Sequence, residues 1–356
     1  MIIREFPQTI NVAGRAVGSG QPVYVIAEAG PNHNRDFDRA IQLVDVAVTA
    51  GADAVKFQTY SAETMYSKKT PTMDYLYEKG VLRRGQTVWD MIKSLEIPRE
   101  WQKDLADYCR EKNITFLSTP FDLRAVDELE AVGCPAYKIA SFEIADLPLL
   151  RACARTKKPI LLSTGMAGLG DIELALETIC EAGGREVLLF HCAIAYPPRF
   201  EDVNLRAIQT LIRAFGTPVG WSDHTTGVSC DIAAVALGAC AIEKHYTVDK
   251  SLPGPDHHYA LLPDELAAMV RAIRETESAL GSTMKGTTEA ELELYRLARR
   301  SLVAAKAIKK GEKITEDALA VKRPGYGIHP QFIPTLIGRT AARDIEPDDV
   351  ITWDMV

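Results

Sequence analysis

The 356-residue sequence has no apolar run long enough to cross a bilayer, no cluster of basic residues and no Cys-x-x-Cys pair. The first absence argues against a transmembrane helix, which needs roughly 20 consecutive apolar residues. The second, with a formal net charge of -7, argues against nucleic acid as a partner, since phosphate backbones are held by clustered Lys and Arg. The third, with an odd total of seven cysteines, speaks against a disulfide framework and a thioredoxin-type redox motif. Cys109, Cys153, Cys180 and Cys240 fall inside patterned segments and read as reduced, buried thiols. Cys192 follows an apolar run beside His191, with no neighbour in sequence arranged to lower its pKa. Residues 1–10 carry Arg4, Glu5 and Pro7 where a signal peptide has its apolar core. A cytoplasmic protein is expected.

Short apolar runs alternate with amphipathic segments through the first 280 residues. The runs are 23–29, 54–58, 115–118, 136–140, 160–163, 187–190, 218–221 and 240–244. Helical patterns at 39–50, 99–111, 124–132, 172–182, 205–215 and 228–237 separate them. Eight such βα units predict an α/β chain folded as a (β/α)8 TIM barrel, with its site at the carboxyl ends of the strands. The barrel is expected over 1–280, a linker over 281–295 and a small second domain over 296–356, with short strands near 308–312, 314–317 and 321–325. One connection is too long for an ordinary βα loop. Residues 60–97, with Lys68, Lys69, Tyr75, Tyr77 and Trp89, read as a lid or a subunit contact.

Polar residues close every strand candidate: Glu28; Lys56 and Gln58; Ser118 and Thr119; Lys138, Ser141 and Glu143; Ser163; His191; Ser222, Asp223 and His224; Glu243, Lys244 and His245. His224 and His245 end consecutive strands joined by one helix. If those strands are parallel neighbours, both imidazoles emerge at the same end and form a plausible divalent-metal site. Lys56 and Lys138, ringed by the hydroxyls of Thr119, Ser141, Ser163 and Ser222, suit a phosphate or carboxylate. The alternative is that the lysines merely satisfy Glu28 or Glu143. A two-histidine metal would keep open positions and polarise a carbonyl. Asp256 and Glu28 are then candidates for positioning water or a sugar hydroxyl, and Glu143 for proton transfer. An anionic group beside an activated carbonyl suggests formation or cleavage of a carbon–carbon bond.

The segments I-A-E-A-G-P-N-H-N (26–34), A-G-A-D-A-V-K-F-Q-T (50–59), S-T-P-F-D (118–122), Y-K-I-A-S-F-E (137–143), S-T-G-M (163–166), W-S-D-H-T-T-G (221–227), E-K-H-Y-T-V-D-K (243–250) and G-P-D-H (254–257) resemble the sialic acid synthase family. Residues 301–329 look like that family's C-terminal antifreeze-like (SAF, β-clip) domain. The resemblance implies a phosphoenolpyruvate-dependent synthase of nine-carbon sugar acids, using Mn2+ or Mg2+ held by His224 and His245. It further implies phosphoenolpyruvate bound by Lys56, Thr119, Lys138, Ser141, Ser163 and Ser222. The acylated amino sugar would be held by Glu143, Tyr196 and Asp256, with Glu28 near the metal and the aldehyde. A domain-swapped homodimer is implied, in which Arg323 of one subunit reaches the sugar of the other. N-acetylmannosamine is the favoured acceptor, and a 2,4-diacetamido-dideoxy hexose, for legionaminic or pseudaminic acid, is the alternative. The chain departs from the family at Ala193 and Ile194, where hydroxyl or amide side chains are usual. Two other classes remain open: a Schiff-base aldolase using Lys138 or Lys244, and a non-catalytic carbohydrate-binding protein.

Overall fold

The computed structural model describes residues 6–78, 82 and 85–356, without the side chains of Tyr75 and Glu78. The readings at Arg4, Glu5 and Tyr75 lie outside the described residues. Two compact units divide the chain, Met1–Gly281 and Ser282–Val356. Among the described residues no helix is long and apolar enough to cross a membrane.

The first unit opens on a hairpin the sequence did not announce, β1 (Thr9–Val12) antiparallel to β2 (Arg15–Gly18). Its two-residue turn, Ala13-Gly14, has φ of 53° and 85°, the left-handed pair that matches the twist of adjoining strands. Eight parallel strands follow: β3 (Tyr24–Glu28), β4 (Ala54–Thr59), β5 (Thr115–Pro120), β6 (Tyr137–Ile139), β7 (Ile160–Ser163), β8 (Val187–Cys192), β9 (Val219–Asp223) and β10 (Ala241–His245). They pair in that order and close β10 onto β3. All eight strands expected from sequence are present.

Strand alternation sorts the side chains into two shells. Outward residues such as Val25, Phe57, Tyr137, Leu162, Leu189, Trp221 and Ile242 join the helices in one large apolar cluster. Inward residues Tyr24, Ile26, Ala54, Leu117, Leu161, Leu188 and Phe190 form a second cluster with Ile10, Val12 and Val17 of the hairpin. The hairpin therefore stoppers the amino-terminal end of the barrel. Above that apolar plug, the next inward residue of each strand is polar.

Local signals set the helix ends. The helix Phe37–Ala50 begins at Asp36, whose carboxylate accepts from Arg39 N, and stops at Gly51 with φ 78°. Such a cap contributes about 1 kcal/mol. The long 60–97 connection is itself folded, with helices Ala62–Met65, Asp74–Glu78 and Val88–Leu95. Tyr60, Leu95 and Phe121 form one small core there with Met65, Met91, Ile92 and Ala140. Leu76, Leu82 and Val88 form another, with Tyr66 and Tyr77. The Lys68 ammonium lies over the Trp89 ring at 4.6 Å.

The second unit holds a short helix, Leu292–Leu297, and an antiparallel pair, β11 (Ser301–Ala304) and β12 (Leu319–Lys322). The strand expected at 308–312 reduces to the isolated bridge of Ile308 to Ile345, Lys313 bridges Thr340, and 314–317 runs into the 3-10 turn Glu316–Ala318. Leu302, Ile308, Ile314, Ile328, Leu336, Ile345 and Ile351 make up most of a local core.

Candidate active site

The layer above the plug consists of Glu28, Lys56, Thr119, Lys138, Ser163, Cys192, Ser222 and Glu243, one inward residue from each strand of the barrel. All eight line one cavity at the carboxyl end of the barrel. His224 and His245, two residues beyond Ser222 and Glu243, rise from the same faces, and Ser141, Tyr196 and Asp256 join them in the lining.

Charge in this layer is tightly paired. Lys56 Nζ lies 2.8 Å from Glu28 and 3.8 Å from Glu243, and donates to Thr119 Oγ1 at 3.0 Å. Lys138 Nζ lies 3.3 Å from Glu243 and donates to Ser163 Oγ at 2.7 Å. Ser222 Oγ donates to the Glu243 carboxylate at 3.1 Å. Burial opposes ionisation of Glu243, but the two ammonium groups outweigh it and hold its pKa below the ordinary value. Glu28 goes the other way: burial, only partly offset by Lys56 and reinforced by Glu243, raises it to about 7. Burial lowers the Lys138 pKa. Glu243 is the residue sequence reasoning left out of the site. Its signal was the period of two, because it shares a face with His245.

The imidazoles stand on adjacent, hydrogen-bonded strands, their ring centroids 5.4 Å apart. Burial lowers both pKa values, for His245 with help from His224 and the nearby lysines, so both rings are neutral. His224 Nδ1 is 3.1 Å from Ala193 O; as donor there, it leaves Nε2 with a free lone pair. His245 Nδ1 is buried without a hydrogen-bond partner, 3.5 Å from Asp256 Oδ2. Neutral, partly orphaned imidazoles fit a divalent cation. No cluster of three His, Cys, Asp or Glu suited to a metal occurs among the described residues. Gly30, beside Glu28, Asp256 and His245, has φ 50°, a left-handed conformation that favours glycine.

Three expectations change. Glu143 is not among the residues that line the cavity, unlike Ser141 of the same 3-10 turn, Ser141–Glu143. Burial, with Asp146 nearby, raises its pKa to about 8. Lys244 faces away from the cavity: its Nζ bonds Asp223 at 2.5 Å and Thr225 O at 2.7 Å, with Asp231 at 3.7 Å, which removes it as a Schiff-base lysine. His191 also faces outward, bonding Val203 O at 2.9 Å, while Cys192 enters the cavity, its thiol raised in pKa by burial. Arg323 belongs to the second unit, where its Nε donates to Ala298 O at 2.7 Å.

The NeuB family matches residues 43–285, and the SAF domain matches 299–356. The chain belongs to the NeuB family. The N,N'-diacetyllegionaminic acid synthase of Campylobacter jejuni is 43% identical over 329 residues, covering 92% of this chain and 98% of that protein. Among solved structures, the spore coat polysaccharide biosynthesis protein SpsE of Bacillus subtilis is 41% identical, with a TM-score of 0.67, covering 98% of this chain and 99% of that one. The N-acetylneuraminic acid synthetase of Leptospira borgpetersenii, solved with citrate, is 34% identical, with a TM-score of 0.72, covering 81% of this chain and 95% of that one. Family membership is shared by proteins named for different sugar acids.

Proposed function

We propose that the protein condenses phosphoenolpyruvate with the open-chain aldehyde of an N-acylated amino sugar and with water, giving a nine-carbon 2-keto sugar acid and phosphate. The observation that carries the reading is two buried lysines and four lining hydroxyls in one cavity with a pair of neutral imidazoles. Lys56 and Lys138, with Thr119, Ser141, Ser163 and Ser222, bind the phosphate and carboxylate oxygens, which need a charge or a hydrogen bond when desolvated. His224 and His245 would hold Mn2+ or Mg2+, which when bound supplies Lewis-acid polarisation of the aldehyde oxygen.

Carbon 3 of phosphoenolpyruvate bonds to the aldehyde carbon, and the aldehyde oxygen takes a proton. Water adds at carbon 2 and gives up both its protons, one balancing that taken by the aldehyde oxygen and the other leaving with phosphate, as the C–O bond breaks with its electron pair on phosphate and carbon 2 becomes the ketone. Glu28, titrating near neutrality at about 7, holds a proton beside the reacting aldehyde. Tyr196 and Asp256 orient the sugar, and Arg323 of the partner subunit completes its site in a domain-swapped homodimer. Glu143, off the cavity wall, is given no substrate contact.

N-acetylmannosamine and a diacetamido-dideoxy hexose are both acceptors of this chemistry. The Leptospira structure supports the first and the closer Campylobacter relative the second. The deciding assay is phosphate release from phosphoenolpyruvate with Mn2+, each acceptor in turn, and a chelator control. Acceptor-dependent release abolished by the chelator is expected. Chelator-resistant turnover with borohydride trapping of the sugar on Lys138 would instead establish the aldolase, for which the lowered Lys138 pKa is the supporting observation.

A further inference from the structure

The two strands that close the barrel, β3 and β10, are parallel neighbours, and each continues into a loop at the carboxyl end. Asp256 lies in the second loop, its carboxylate 3.5 Å from His245 Nδ1. Residues 248–256 run through turns and bends, without helix or strand, and are exposed or half-buried. Such a stretch has little packing of its own with which to hold a carboxylate still. The next residue, His257, is 1% exposed.

The His257 ring is held at both nitrogens. Asn34, in the loop after β3, donates Nδ2 to Pro253 O at 2.8 Å, and its amide oxygen lies 3.2 Å from His257 Nε2. An amide oxygen only accepts, so Nε2 carries the hydrogen. Burial, helped by Arg39, lowers the His257 pKa to about 4 and keeps the ring neutral. Nδ1 is then an acceptor, and the Thr247 hydroxyl donates to it at 2.7 Å. One imidazole therefore joins the end of β10 to the loop after β3. The fit around it is close: a Cβ on Gly254, whose φ is 151°, would come within 2.8 Å of His257 Cδ2. His257, Asn34 and Thr247 do not line the cavity, whereas Asp256 does.

We propose that His257 is a positioning residue, which latches the loop of Asp256 to the barrel and so fixes the Asp256 carboxylate against the acceptor sugar. The inference rests on the condensation proposed above, in which Asp256 orients that sugar.

Initial rates of phosphate release, with whichever of the two acceptors supports it, give KM for each substrate separately. His257→Phe, which fills the space without either hydrogen bond, is expected to raise KM for the acceptor about tenfold and to leave KM for phosphoenolpyruvate within about twofold. His257→Gln, whose amide can still donate to Asn34 and accept from Thr247, is expected to recover most of that loss. In an Asp256→Asn background, His257→Phe should change the acceptor KM by less than about twofold, because the two residues act as one unit. Equal rises in both KM values, a Gln variant no better than Phe, or additive effects in the double variant overturn the proposal. Should His257→Phe not fold, Thr247→Val removes the donor to Nδ1 with little change in size, and the same split between the two KM values decides. If no acceptor supports phosphate release, the condensation reading falls separately and hydrogen exchange tests the latch. Faster exchange in 249–260 of the His257 variant, with the barrel strands unchanged, supports it; unchanged exchange there overturns it.

Discussion

At the scale of single residues, the site depends on which way each strand residue faces. His224 and His245 share the cavity because each lies two residues beyond an inward Ser222 or Glu243. We expect His224→Ala or His245→Ala to reduce kcat/KM by at least ~3 kcal/mol of transition-state stabilisation, with loss of bound metal measured by elemental analysis. Retention of both metal and turnover would sink the metal assignment. Glu143 makes a different prediction. Its folded pKa of about 8 lies above the ordinary 4.5, so the folded state binds more protons between those values. Stability contributed by this carboxyl falls as pH rises through that window. Glu143→Gln should flatten the fall, as read by urea unfolding at stepped pH.

At the scale of elements, β9 and β10 are joined behind the cavity as well as across it. The outward residues Asp223 and Lys244 are register partners, and both are almost fully buried with Asp231. Burial, reinforced by Asp223 and opposed by Lys244, raises the Asp231 pKa well above its ordinary value. Removing the cation strands the Asp223 charge. Lys244→Met should destabilise the barrel by roughly 3–5 kcal/mol, seen as a lower urea midpoint with an unchanged slope. Little of this was readable beforehand. The segments W-S-D-H and E-K-H announce polar strand ends, but only pairing shows that their middle residues meet each other instead of substrate. The hairpin β1–β2 was missed for a related reason: Ala13-Gly14 is a weak turn signal, and the apolar residues flanking it gain their meaning only as a barrel stopper.

At the scale of the whole molecule, the proposed homodimer makes a quantitative prediction. Subunits carrying Arg323→Ala and subunits carrying His224→Ala are each expected to be nearly inactive alone. After exchange, half the dimers are mixed and each has one complete site, so about a quarter of wild-type turnover should return. No recovery in verified mixed dimers would remove Arg323 from the partner's site.

The sequence by itself determined the barrel, because eight short apolar runs spaced by amphipathic helices have few other ways to bury their faces. It also determined which residue types reach the carboxyl ends of the strands, since a strand's end is legible in its apolar run. Only the tertiary structure decided how those residues are paired. Glu243 sits between Lys138 and Lys56, three strands meeting across a closed barrel, and no spacing along one chain encodes that distance. The structure likewise packed the 60–97 insertion against Phe121. Contacts of this kind arise from closure and packing, which act between segments far apart in sequence.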